Sequence, residues 1–358
     1  LKAQAEKQRA EAEKLAAEAQ RAEEAQRRAF ADGILRKGMD LADSGEYVES
    51  IQTFEKFINQ GGYAPGTDQH YTALYGIANA LQEAGLYQSA ANYLLDVLRE
   101  GPTKPFFQQS FWKLRTIRQK IDFTTPDIEE LSNFTVTEFS RKFQDEYNYV
   151  LGEFFYDYGQ LERALGYFEG VSDDSADRAK ALYLTGLVQA QNELYLSALK
   201  SFQEAVTATE NNKSDPEVAD LAYLALARTA YENSFFDVAI FYYRKIPTDS
   251  NKLATAFYES AWTYFLKGDY SRALGTFQAL HSPYFNHYFF PELWILEATV
   301  YVNLCHYDYA REAVNQFNAS VNTLAIPLKK LLSELRTPAD YYRAFISGML
   351  NKNPNFDK

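Results

Sequence analysis

The sequence predicts an all-α solenoid of antiparallel helix pairs. Three observations lead there. A turn followed by an aromatic or apolar residue and then a small one recurs seven times. Apolar residues on either side of each turn fall at i, i+3, i+4 and i+7, the period of a helix with one buried face. Prolines 102, 247 and 283 sit where second helices or the loops after them end, as a residue without an N–H should.

Residues 1–29 are almost entirely Ala, Glu, Lys, Gln and Arg, all strong helix formers. Apart from Leu1 and Leu15 their apolar groups are alanine methyls. The simplest expectation is a solvated helical spacer. The sharper alternative is an Ala-rich coiled coil through which the chain self-associates, although its heptad pattern is weak. A further possibility is that this helix lies in the chain's own groove.

From residue 30 the sequence repeats itself, and a fixed period is the signature of stacked units sharing one core. The turns are Gly45-Glu46-Tyr47, Gly85-Leu86-Tyr87, Gly159-Gln160-Leu161, Glu193-Leu194-Tyr195, Ser234-Phe235-Phe236, Gly268-Asp269-Tyr270 and Cys305-His306-Tyr307. Each leads to a small residue: Ser50, Ala90, Ala164, Ala198, Ala239, Ala273 and Ala310. Four positions later comes a large one: Phe54, Leu94, Phe168, Phe202, Tyr243, Phe277 and Val314. An i, i+4 pair shares one helix face, so the small residue admits a neighbouring helix and the large one fills the groove beside it. One interval is about double the others and contains residues 105–144, expected to be a divergent helix pair. Residues 325–350 are expected to form two short capping helices with polar faces, divided at Pro338 and followed by a tail to residue 358.

A unit of about 34 residues with this order resembles the tetratricopeptide repeat. The resemblance falls on residues 31–64, 71–104, 145–178, 179–212, 220–253, 254–287 and 291–324. The family's small eighth position is Gly38, Ala78, Gly152, Gly186, Ala227, Ala261 and Ala298. Its large fourth position departs from the pattern once, at Asn148. The resemblance implies a right-handed superhelix whose concave wall is lined by the first helix of each pair. It also implies that this wall binds a partner peptide or helix. Carried over position by position, the groove residues are Tyr75, Asn79, Tyr149, Glu153, Tyr156, Tyr183, Arg228, Tyr231, Tyr258 and Trp262. Tyr and Trp supply contact area and a polar tip at small rotamer cost. The competing expectation for each aromatic is packing against the next repeat.

Composition narrows the partners. A net charge of −12 gains nothing from phosphate counterion release, which argues against nucleic acid, and it disfavours an anionic membrane surface. No apolar run is long enough to span a bilayer. The one cysteine, Cys305, has no second thiol to pair with. None of the four histidines has the helical spacing of a zinc site, and no phosphate loop or nucleophile elbow is present. The expectation is therefore a non-enzymatic scaffold or adaptor without a cofactor. An Ala/Glu/Lys/Gln helix ahead of such repeats resembles bacterial cell-envelope proteins of maintenance, motility or secretion assemblies. The alternative is a cytoplasmic module that docks a signalling protein such as a small GTPase or response regulator. The chain begins with Leu1, which is compatible with a leader ahead of it.

Overall fold

A computed structural model describes residues 2–60, 65–118, 120–121, 129–212, 215–285 and 287–350. Among the described residues there are helices and turns and no strand. The chain divides into two units, Leu1–Ala181 and Leu182–Lys358.

The first unit holds α1 (Lys2–Asp43), α2 (Tyr47–Gln60), α3 (Asp68–Glu83), α4 (Tyr87–Arg99), α5 (Phe107–Arg118), α6 (Arg141–Asp157) and α7 (Leu161–Glu169). Helix α8 (Arg178–Gln191) begins in it and ends in the second. The second unit continues with α9 (Tyr195–Asn212), α10 (Pro216–Glu232), α11 (Phe236–Tyr243), α12 (Leu253–Lys267) and α13 (Tyr270–Leu280). Its last helices are α14 (Glu292–Asn303), α15 (Tyr307–Glu334) and α16 (Pro338–Leu350). Within the first unit α1 to α7 pack each on the next, and within the second unit α9 to α15 do so; α1 also touches α3, and α12 touches α14.

The repeated turn has one geometry. In all seven copies its first residue has positive φ, from 59° at Cys305 to 81° at Gly45. The amide that follows closes back five residues, as in Glu46 to Leu41 at 2.9 Å, Gln160 to Phe155 at 2.8 Å and His306 to Tyr301 at 2.8 Å. This left-handed cap terminates a helix and reverses the chain, and glycine holds it without a Cβ penalty. Glu193, Ser234 and Cys305 occupy the same conformation with a side chain. The left-handed cost to a side-chain residue exceeds the entropy that glycine loses on folding. Replacing any one of the three by glycine is therefore expected to raise stability by about 0.5–1 kcal/mol in urea unfolding. A loss of stability would mean that the side chain contributes more than its strain. Cys305 is thus an exposed turn residue, and the described residues contain no group of three or more potential ligands able to hold a metal.

The small–large pairs form the seams between helices. All seven small residues are buried, and so are six of the seven large ones. A Cβ added to Gly152 would lie 2.6 Å from the Phe168 ring, and one on Gly186 would lie 2.5 Å from Phe202. These glycines are where first and second helices touch. Ser50 stands in the alanine position because its hydroxyl donates to the Gly38 carbonyl at 2.7 Å, which satisfies it in the interior. Asn148, the departure at the fourth position, donates from Nδ2 to the Gly170 carbonyl at 3.1 Å and so ties α6 to the end of α7. Val314 is the exception, 47% exposed. It lies with Trp294, Ile295, Val302 and Phe317 along an apolar recess between α14 and α15.

Three features differ from the expected layout. Helix α1 runs unbroken for 42 residues, through the junction placed at residue 29. Residues 14–30 are exposed along it and burial starts at Ala31, so that stretch is not packed into a groove of this chain. Second, residues 325–334 form no separate cap. They continue α15, which carries Pro327 inside it and reaches 28 residues. Proline's missing N–H costs one helical bond but leaves φ helical, and the apolar flanks continue on both sides. Third, the face of residues 325–350 is not polar: Ile326, Leu328, Leu331, Leu332, Tyr341, Tyr342 and Phe345 are exposed. The divergent segment supplies α5, whose Phe107 and Phe111 pack on Phe143 and Tyr147 of α6. Pro126 and the tail 351–358 lie outside the described residues.

Candidate functional site

Helices α10 and α12 are the first helices of consecutive pairs in the second unit, with α11 between them. Groove positions one turn apart on α10 bring Arg228, Tyr231 and Glu232 to one side, and Glu259 and Trp262 occupy the facing side of α12. With Tyr243 of α11 these six residues line a cleft of about 290 Å³.

Its floor is an ion pair with a third partner. Arg228 donates to Glu259 from Nε to Oε2 at 2.9 Å and from Nη2 to Oε1 at 2.5 Å. The Tyr243 hydroxyl donates to the same carboxylate at 3.1 Å. The hydrogen bond to Glu259 raises the Arg228 pKa more than burial lowers it. Burial, then the field and hydrogen bond of Glu259, push the Tyr243 phenol far up, so it stays a donor. Burial and then Glu232 and Glu259 raise Tyr231. Trp262 and Tyr231 are half-buried and form the walls, Trp262 with its edge toward Phe265 at 6.4 Å. Glu232, at the end of α10, is exposed and makes no ion pair among the described residues. The cleft thus holds one neutralised cation, one uncompensated carboxylate and three aromatic rings. What the lining offers is aromatic contact area and charged groups.

Of the residues expected in the groove, the structure brings Arg228, Tyr231 and Trp262 into this one cleft. Four others are covered or engaged by the protein. Tyr149 is 6% exposed, and α5 lies across it with the Arg115 guanidinium 5.5 Å from its ring. Its hydroxyl donates to Glu153 at 3.0 Å, and Glu153 in turn pairs with Arg118 at 3.3 Å. Tyr149 and Glu153 therefore belong to the packing between α5 and α6 rather than to an open wall. The divergent segment that covers them has no counterpart in the regular unit. Tyr75 is stacked on Phe106 at 4.8 Å, and Tyr258 on Phe290 at 4.8 Å. In both cases an aromatic from a following loop takes the ring face expected for a partner. Asn79, Tyr156 and Tyr183 are half-buried, Tyr183 with its ring 5.9 Å from Phe202.

Tyr243, Glu232 and Glu259 were not anticipated. Tyr243 is also the large member of a small–large pair, its ring buried and its hydroxyl turned to Glu259. Glu232 occupies the thirteenth position of its unit, a groove position in the resemblance, and that signal was available. Glu259 carries no such signal; only the apposition of α10 and α12 reveals it.

A family model described as tetratricopeptide repeat matches residues 35–105 and 149–215. No curated protein matches the chain. Among solved structures, a tetratricopeptide repeat protein from Parabacteroides merdae is 13% identical, with 81% of this chain and 92% of that one covered and a TM-score of 0.36. A Rap protein complexed with competence and sporulation factor is 13% identical, with 90% and 87% covered and a TM-score of 0.37. BtubC from P. vanneervenii is 14% identical, with 84% and 92% covered and a TM-score of 0.27. None of these likenesses is close enough to carry a functional argument. The repeated left-handed turn, the buried small–large pair and the family match agree for residues 35–105 and 149–215: these segments are tetratricopeptide repeats.

Proposed function

We propose that this chain is a protein–protein interaction scaffold that docks a segment of another protein, with the cleft of Arg228, Tyr231 and Trp262 as a principal contact. The observation that carries this reading is the convergence of two half-buried aromatics from consecutive first helices on one open cleft, held together by the Arg228–Glu259 pair. Aromatics dominate binding energy at interfaces. The repeat family supports a docking role in general. The exposed helix at residues 14–30, ahead of the repeats, supports a spacer that holds the repeats away from an attachment point, in keeping with a bacterial cell-envelope, motility or secretion assembly. No helix among the described residues is long and apolar enough to cross a membrane.

The test replaces Trp262 by a photo-crosslinking phenylalanine analogue in the source cell, identifies the protein captured at that position and purifies it. Its affinity is then measured for the intact chain and for a Tyr231→Ala/Trp262→Ala variant shown by circular dichroism to be folded. Loss of two such anchors is expected to weaken binding about 30-fold or more. Unchanged affinity would remove the cleft from the interface. A captured GTPase or response regulator would favour the cytoplasmic module over the envelope assembly.

A further inference from the structure

The occupant of this cleft has a definable chemistry. Arg228 is the obvious hook for an acidic partner, but it is already taken. Its Nε and Nη2 donate to Glu259, and Tyr243 holds that carboxylate in place. Its charge is thereby balanced, and an incoming anion would gain only the remaining Nη1 edge beside a carboxylate that repels it. The charge left over in the cleft is that of Glu232, which has no cationic partner among the described residues and whose field reaches Tyr231. The same cleft is lined by Trp262 and Tyr231, with Tyr243 buried behind Glu259. Two aromatic walls with one free carboxylate suit a long side chain that is apolar along its stem and cationic at its tip. About 290 Å³ lies at or below the small end of ligand pockets, the scale of one side chain rather than a larger molecule. The chain's net charge of −12 draws cations toward it over longer range.

We infer that the cleft is a recognition pocket for an arginine or lysine side chain of the partner segment, with Glu232 as the ion-pairing group and Trp262 and Tyr231 as the cation-stacking walls. Arg228 then acts as a positioning residue: it spends its charge on Glu259 and holds α10 against α12. This inference rests on the docking role proposed above, and the two fail in different ways.

The probes are the N-acetyl methylamides of arginine, lysine, norleucine and glutamate. The chain has three tryptophans, so selective ¹⁵N-tryptophan labelling leaves three indole resonances, and Trp262→Phe assigns one of them. Arginine and lysine amides are expected to move the Trp262 resonance along a saturable curve. In Glu232→Gln, whose side chain is exposed at a helix end, the same shift is expected to need up to about fivefold more probe, the scale of an exposed ion pair, the aromatic walls being unchanged. Norleucine amide, which keeps the stem and lacks the charge, is expected to bind weakly, and glutamate amide not at all. Equal saturation by norleucine would overturn the charge recognition and leave a docking cleft that selects apolar groups. Saturation by glutamate would make Arg228 the reader and overturn the inference. If no amide moved the Trp262 resonance, the inference would fall, while cross-linking at position 262 would still decide the docking role on its own.

Discussion

Replacing Phe54 by alanine is expected to destabilise the start of the repeat array by about 3–5 kcal/mol, the range for deleting a buried aromatic ring from a packed core. Phe54 is fully buried. Its ring is held between two glycines of consecutive first helices. A Cβ on Gly38 would lie 2.7 Å from it, and one on Gly76 2.5 Å. Both walls of its slot are therefore backbone, which cannot rotate a side chain into the void as a leucine-lined cavity could. Native-state hydrogen exchange on α2 and α3 reads the loss directly, because opening in a repeat array is local. Val314 occupies the same repeat position but is largely exposed, so Val314→Ala is the internal control, expected within about 0.5 kcal/mol of the parent. A loss below about 1 kcal/mol for Phe54→Ala would mean that the ring does not carry this seam.

The second large effect is electrostatic. Arg115 on α5 reaches Asp177, just ahead of α8, at 2.7 Å, with Glu146 of α6 at 3.9 Å. The two side chains are 27% and 9% exposed. Burial alone would lower the Arg115 pKa. The hydrogen bond to Asp177 and the fields of Asp177 and Glu146 outweigh it, so the net shift is upward. Asp177→Ala leaves a mostly buried guanidinium with one distant carboxylate. Breaking a fully buried pair costs about 3–5 kcal/mol; partial exposure of the arginine brings the expected loss here to about 2 kcal/mol. The double variant Arg115→Met/Asp177→Ala is expected to recover most of that loss, because the penalty lies in the orphaned charge rather than in the missing attraction. Urea unfolding of the two single variants and the double variant closes the cycle. A double variant less stable than either single would show that the two residues act independently.

These effects sit where local pattern and tertiary contact part company. The helix pairs, their turns and the small–large seams are legible in the residues because their causes are local. A left-handed cap needs glycine or a tolerated substitute at one position, and an i, i+4 pair shares a face whatever lies beyond it. For that reason all seven turn residues have positive φ and all seven small residues are buried, including Ser50 with its internal hydrogen bond. Asn148 looked like an error in the pattern, yet it is a bond between α6 and the end of α7.

The candidate site was legible only in part, and the reason is physical. A repeat position specifies which way a side chain leaves its helix; it does not say what arrives on the other side. Tyr149 is covered by α5, from the segment that breaks the period. Tyr75 and Tyr258 are met by Phe106 and Phe290 from following loops. Trp262, Tyr231 and Arg228 meet no such loop and stay open to the cleft. The charge balance of that cleft depends on Glu259, from a position with no groove signal, reaching Arg228 across two helices. Secondary structure, turn geometry and the identity of the packing seams followed from residues near one another in sequence. Which aromatics remain available, and which charge among them is free, was decided by contacts between residues about 15 to 60 positions apart, where only the folded chain determines who is neighbour to whom.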